Sequence, residues 1–91
     1  MAKRISVIAG NWKMNTDVES GLKLAKEILD FSKDFSGVDK IIFPPFVSIA
    51  SISQKLSGSP IQVGAQNVSS NPDGAFTGEV STSMLRGFVS H

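Results

Sequence analysis

At 91 residues, 41% hydrophobic and 19% charged, with a mean hydropathy near zero, the chain has the composition of a soluble globular protein, not of a disordered or fibrous one. A chain this short buries only roughly 60–65% of its unfolded surface, which sets the limit at one domain with a modest core, and without cysteine it has neither disulfides nor a thiolate metal site in support. Nine basic and eight acidic residues, interspersed to a net charge of +1, form no basic stripe for nucleic acid or an anionic membrane.

The opening MAKR carries the charge of a signal-peptide n-region. The apolar run behind it, however, ends at Asn11 to Lys13, short of the roughly 7–15 residues such a peptide requires. Cytoplasm is the default expectation, and no apolar run approaches the ~18 residues of a membrane span. Ile5 to Ala9 is β-branched and apolar without alternation, which predicts a parallel strand buried on both faces and stopped by Gly10. Thr16-Asp17-Val18-Glu19 reads as a capping box with Thr16 as the cap. The helix behind it places Val18, Leu22, Ala25 and Leu29 on one face, widened by Ile28, with most of its charges elsewhere.

Phe35, Ser36 and Gly37 break that pattern, and Ile41 to Phe43 makes a second short strand stopped by Pro44-Pro45. Phe46 to Leu56 predicts a helix packed through Phe46, Ile49, Ala50, Ile52 and Leu56. Ser57 to Pro60 is a turn and Ile61 to Ala65 a third strand. Gln66 to Glu79 is a long polar loop near the ~12–15 residue limit above which such loops are usually functional or disordered. A short helical piece over Val80 to Arg86 precedes GFVSH. Strand, helix, strand, helix, strand predicts right-handed βαβ units and a parallel sheet.

No G-x-G-x-x-G follows a strand, and no glycine-rich loop ends in Gly-Lys-Ser or Gly-Lys-Thr, so the dinucleotide and P-loop fingerprints are missing. The single histidine, His91, cannot build a His-based metal cluster or a Ser-His-Asp triad. Asn67-Val68-Ser69 matches a glycosylation acceptor, but without a secretory signal it reads as coincidence. Asn11 and Lys13 stand out because they follow the carboxyl end of the first strand, where α/β proteins place ligand-binding groups. A lysine there can hold a phosphate or stabilise an oxyanion, although position alone favours a solvated loop lysine. Trp12 reads as a packing anchor, since no second aromatic and no basic groove accompany it. Glu19, Glu27, Asp30 and Asp34 read as cap and solvated-face carboxylates.

AGNWKMN after the first strand, FPPF at Phe43 to Phe46, and VGAQN at Val63 to Asn67 leading into GAFTGEVS at Gly74 to Ser81 occur in one order and spacing. In these motifs the chain resembles the triosephosphate isomerases over nearly its whole length, up to about Leu85. The resemblance implies the N-terminal βαβαβ portion of a (β/α)8 TIM barrel, incomplete as an isolated chain, in a family of typically ~250 residues. Residues 1–91 are then one partial barrel domain with barrel units one to three and an interface loop at 66–79.

The resemblance also implies the activity: interconversion of dihydroxyacetone phosphate and D-glyceraldehyde 3-phosphate, without metal or cofactor. Asn11 would hydrogen-bond substrate, and Lys13 would hold its phosphate end and stabilise the enediolate-like transition state. The family also uses a neutral histidine as electrophile and a glutamate as base, two roles that the resemblance alone implies. Neither has a clear counterpart here: His91 lacks the preceding glycine of the family's GHSE motif, and six residues after Leu85 are too few for helix completion, a turn and a strand. The family is a homodimer. Thr77 would reach the partner's lysine corner, Met14 would plug into a socket in the partner's loop, Phe76 and Glu79 would shape the interface, and Gln66 would order the loop. The competing expectation is a catalytically inert fragment, whose exposed barrel edge makes it at most an interaction or complementation piece.

Overall fold

The computed structural model describes residues 4–91; the charged start at residues 1–3 lies outside the described residues. The elements run β1 (Ser6–Asn11), α1 (Val18–Ser32), β2 (Val38–Phe43), α2 (Phe46–Lys55), β3 (Ile61–Val63) and α3 (Thr82–Leu85). All three strands are parallel in the order β1-β2-β3, with Ala9 opposite Ile41, Asn11 opposite Phe43 and Ile42 opposite Val63. This is the α/β arrangement of an N-terminal barrel portion, and the barrel is not closed.

The core forms where α2 lies on β2 and β3. Ile42, Ile49, Ile52, Leu56, Ile61 and Val63 are buried together, joined by Trp12, Ala25 and Leu85. α1 packs on α2, and Gly21 sits at the crossing, where a Cβ would already touch Ile52 Cδ1 and Ser48 Oγ at 3.4 Å. A small residue there lets the two helix backbones approach closely enough for Ser48 and Ile52 to be fully buried.

Three expectations are corrected. β1 is not buried on both faces: all six residues are exposed, Ile8 to 64%. Among the described residues it has β2 as its one neighbour in the sheet, and α1 packs on α2 instead of covering it. The cap of α1 is Asp17, not Thr16; the Asp17 carboxylate accepts from the Ser20 amide at 2.8 Å, and the Ser20 hydroxyl accepts from the Asp17 amide at 3.0 Å. Thr16 has a φ of 75°, which turns the chain one residue before the helix and leaves its hydroxyl buried without a partner. The Asp17 carboxyl is held below its usual range, chiefly by the Ser20 amide.

In α2 the buried stripe is Ser48, Ile49 and Ile52, continued by Leu56, while Phe46 and Ala50 are exposed. A helix face is about 100° wide, and the stripe that meets Gly21 leaves no room on it for Phe46 or Ala50. Of the carboxylates read as solvated, Asp30 pairs with Lys26 at 3.0 Å and Lys33 at 3.5 Å on the open face of α1, and the Lys26 bond is the main cause of its lowered pKa. At the end of α1 the Lys40 ammonium donates to the carbonyls of Ser32, at 2.9 Å, and Phe35. A cation so placed satisfies carbonyls that a helix terminus leaves open.

Candidate active site

Asn11 and Phe43 end β1 and β2 in register, so both strands deliver their next residues to one plane at the carboxyl edge of the sheet. The ladder runs one bond further, from the Trp12 amide to the Phe43 carbonyl at 3.1 Å, and Trp12 then drops into the core, only 8% exposed. It is the anchor the sequence suggests. Burying the indole fixes the residues on either side of it, and the loop beyond closes on itself through local amides. The Asn11 Oδ1 accepts from the Lys13 amide at 2.8 Å, and the Asn15 Nδ2 donates to the Trp12 carbonyl at 2.7 Å.

Lys13 takes a φ of 56°, a left-handed conformation uncommon for a non-glycine residue. Its side chain is exposed, and among the described residues it joins neither ion pair, both of which lie on α1. The Asn11 Nδ2 likewise has no protein acceptor among the described residues, and both side chains are open to solvent.

β3 contributes through the residues just past its end. Gly64 continues the ladder by donating to the Ile42 carbonyl at 2.9 Å, and a Cβ there would clash with the Phe43 ring. Gln66 then turns its amide back across the sheet edge. The Nε2 donates to the Phe43 carbonyl at 2.8 Å and to the Lys13 carbonyl at 2.9 Å. Ala9, Asn11, Phe43, Ala65 and Gln66 line the resulting open cleft of about 280 Å³.

The 66–79 loop is closed at its base by the Ser69 amide on the Val80 carbonyl at 2.8 Å. Its tip turns through Glu79 N–H to the Phe76 carbonyl at 3.0 Å, with Gly78 at a φ of 86°. Asp73 reaches from the loop to α3, accepting from the hydroxyls of Ser81 and, at 2.6 Å, Ser83. Those two bonds, Ser81 first, hold the Asp73 carboxyl below its usual range. Sequence reasoning missed this clasp, although an aspartate eight residues before a serine N-cap is its only trace. Ser81 caps α3, donating from its hydroxyl to Asp73 and accepting from the Met84 amide at 3.3 Å.

The structure therefore brings Asn11, Lys13 and Gln66 together. Thr77, Phe76 and Glu79 make no hydrogen bond to that corner among the described residues; they and Met14, which is 96% exposed, are solvent-exposed. His91 lies at the other side of β3. The short helix ends at Leu85, Gly87 turns the chain at a φ of 88°, and Ser90 N–H already reaches the Val63 carbonyl at 2.9 Å. Six residues after Leu85 thus suffice to bring the chain alongside β3, because the helix is only four residues long. The His91 Nδ1 is 2.8 Å from the Ser90 hydroxyl.

A family model described as triosephosphate isomerase matches residues 6–89. Among curated relatives, the triosephosphate isomerase of Rhodopirellula baltica is 47% identical over 85 residues, covering 93% of this chain and 33% of its own. That of Cytophaga hutchinsonii is 45% identical over 85 residues, 91% of this chain and 34% of the relative. That of Carboxydothermus hydrogenoformans is 46% identical over 79 residues, 87% and 32%. The chain spans about a third of the length of the curated relatives it matches. On these matches, and with its parallel strands delivering the AGNWKMN, FPPF and VGAQN segments to one edge, the chain belongs to the triosephosphate isomerase family.

Proposed function

We propose that these residues supply the lysine corner of a triosephosphate isomerase, which interconverts dihydroxyacetone phosphate and D-glyceraldehyde 3-phosphate by moving a proton between adjacent carbons. The observation that carries the reading is that two donors, the Asn11 carboxamide and the exposed Lys13 side chain, follow the carboxyl end of β1, where Asn11 lines an open cleft. Donors so placed suit an anionic phosphate ester and the negative charge that develops on an enediolate. Asn11 binds substrate; Lys13 holds the phosphate end and stabilises the transition state.

Residues 1–91 form one partial barrel domain in this reading, and the enzyme is a cytoplasmic homodimer that uses no metal or cofactor and engages no nucleic acid. No helix among the described residues is long and apolar enough to cross a membrane. Met14 plugs into the partner's loop, Thr77 reaches the partner's Asn11 and Lys13, Phe76 and Glu79 shape the contact, and Gln66 orders the loop that makes it. The exposure of Met14 and Phe76 supports that assignment. By itself the 91-residue chain is inert, because the base and the electrophile of the family have no matched residue within it; its open β1 edge makes it an interaction piece at most.

The test is a chimera in which residues 6–89 replace the matching third of the Rhodopirellula baltica relative. Isomerisation of dihydroxyacetone phosphate that survives the exchange and falls at least about 100-fold on Lys13→Ala is the expected result. A chimera whose rate is indifferent to Lys13 would overturn the reading.

A further inference from the structure

The left-handed turn at Lys13 is unfavourable for an L side chain and persists only where the surroundings over-determine it. Its own loop contributes one restraint, the Asn11 carboxamide on the Lys13 amide, which fixes the N–H side of the residue. The carbonyl side is held by a residue 53 positions away. Gln66 Nε2 spans the 2.9 Å to that carbonyl and the 2.8 Å to the Phe43 carbonyl at once, using both protons of one amide. Phe43 ends β2 and is itself fixed by the ladder and by the Gly64 backbone under its ring. We infer that Gln66 is a positioning residue, whose amide references the Lys13 backbone to the end of β2 and so holds the lysine in its left-handed conformation.

This rests on the assignment of Lys13 as the charged group of the site and adds how that group is set. It gives Gln66 a task within its own chain, separate from ordering the 66–79 loop at an interface. It also explains the residue type: the two acceptors are both carbonyl oxygens, so the group between them must donate twice, which a carboxylate of the same shape does not do.

The experiment needs no catalysis, so its failure is distinct from failure of the proposed function. A φ near 56° brings the amide proton of Lys13 close to its own Hα and gives a strong intraresidue cross-peak in the NMR spectrum of the 15N-labelled chain. Gln66→Met, similar in length but without donors, is expected to lose that signal while the Gly64 amide, bonded to Ile42 across β2 and β3, keeps its exchange protection. Gln66→Glu is expected to lose it at pH 7 and to regain it in part when the carboxyl is protonated, below about pH 4–5, because a carboxylic acid can donate once.

The charged and titratable groups around the position are Lys13, beside the amide, and Arg86 and His91, which line the adjoining groove with Gln66. The wild-type signal is expected to stay flat over the same range; a wild-type signal that changes with it would overturn the assignment of the step to residue 66. An unchanged Lys13 signal in Gln66→Met would overturn the inference, as would parallel loss of Gly64 protection, or a Gln66→Glu signal that does not return with acid.

Discussion

β1 and β2 pair residue for residue over six positions, and each carries two adjacent apolar, β-branched residues, yet those residues end in opposite environments. Ile41 and Ile42 are buried, while Val7 and Ile8, in the neighbouring strand, are more than half exposed. The difference lies in what each strand has beside it. β2 is flanked by two strands and shares the core with α2, whereas among the described residues β1 has one neighbour and its other edge open. An apolar strand is therefore a capacity for burial, and the neighbours determine how much of it is realised.

The sharpest way to break the comparison is to truncate one isoleucine on each side of it. Ile52 is fully buried in the core at the crossing of α1 and α2, and Ile52→Ala should cost about 2–5 kcal/mol in urea unfolding. Ile8→Ala, at the open strand, should stay within about 0.5 kcal/mol. Equal losses would show that β1 has a cover the present geometry lacks.

A smaller effect is expected where the core half meets the site. Gly64→Ala places a methyl group into the Phe43 ring, and overpacking of this kind costs about 1–3 kcal/mol. The ring, not the backbone, must give way, since Gly64 is bonded across the sheet. The loss should therefore be accompanied by a displaced Phe43 ring signal in the NMR spectrum; an undisturbed ring would count against the contact.

The smallest effect is local and concerns the loop. Asp73 is held by the Ser81 and Ser83 hydroxyls, and its folded pKa lies below the unfolded one. The clasp is accordingly at full strength above about pH 4 and is lost as the pH falls through the lower folded value. Amide protection at Ser69 and Met84, relative to the unfolded rate, should drop over that acid range, and Asp73→Asn should abolish the step. Protection that is flat with pH in the parent chain would assign the loop's order to its backbone bonds alone.

Much of the fold is legible in the sequence because it is periodic. α1, β2 and α2 begin and end within a few residues of where their apolar spacing places them. What escaped is set by choices between adjacent residues or between distant ones. Thr16 and Asp17 are both acceptable caps, and only the positive φ at Thr16 selects the second. Asn11 and Lys13 are visible as residue types at a strand end, but the Gln66 bridge joins positions 53 and 23 apart, and no local pattern encodes it. The exposure of Phe46 depends similarly on where Gly21 allows α1 to cross.

The Phe43 carbonyl receives two protons, one from the Trp12 amide and one from Gln66. A carbonyl oxygen has two lone pairs, so this one is saturated and has no unfilled acceptor to turn toward the cleft. One oxygen thus joins all three strand ends, since its two donors come from the residue after β1 and from the loop that follows β3. Any further donor arriving at the Phe43 carbonyl would have to displace one of these two bonds, so loosening one strand end is felt at the others.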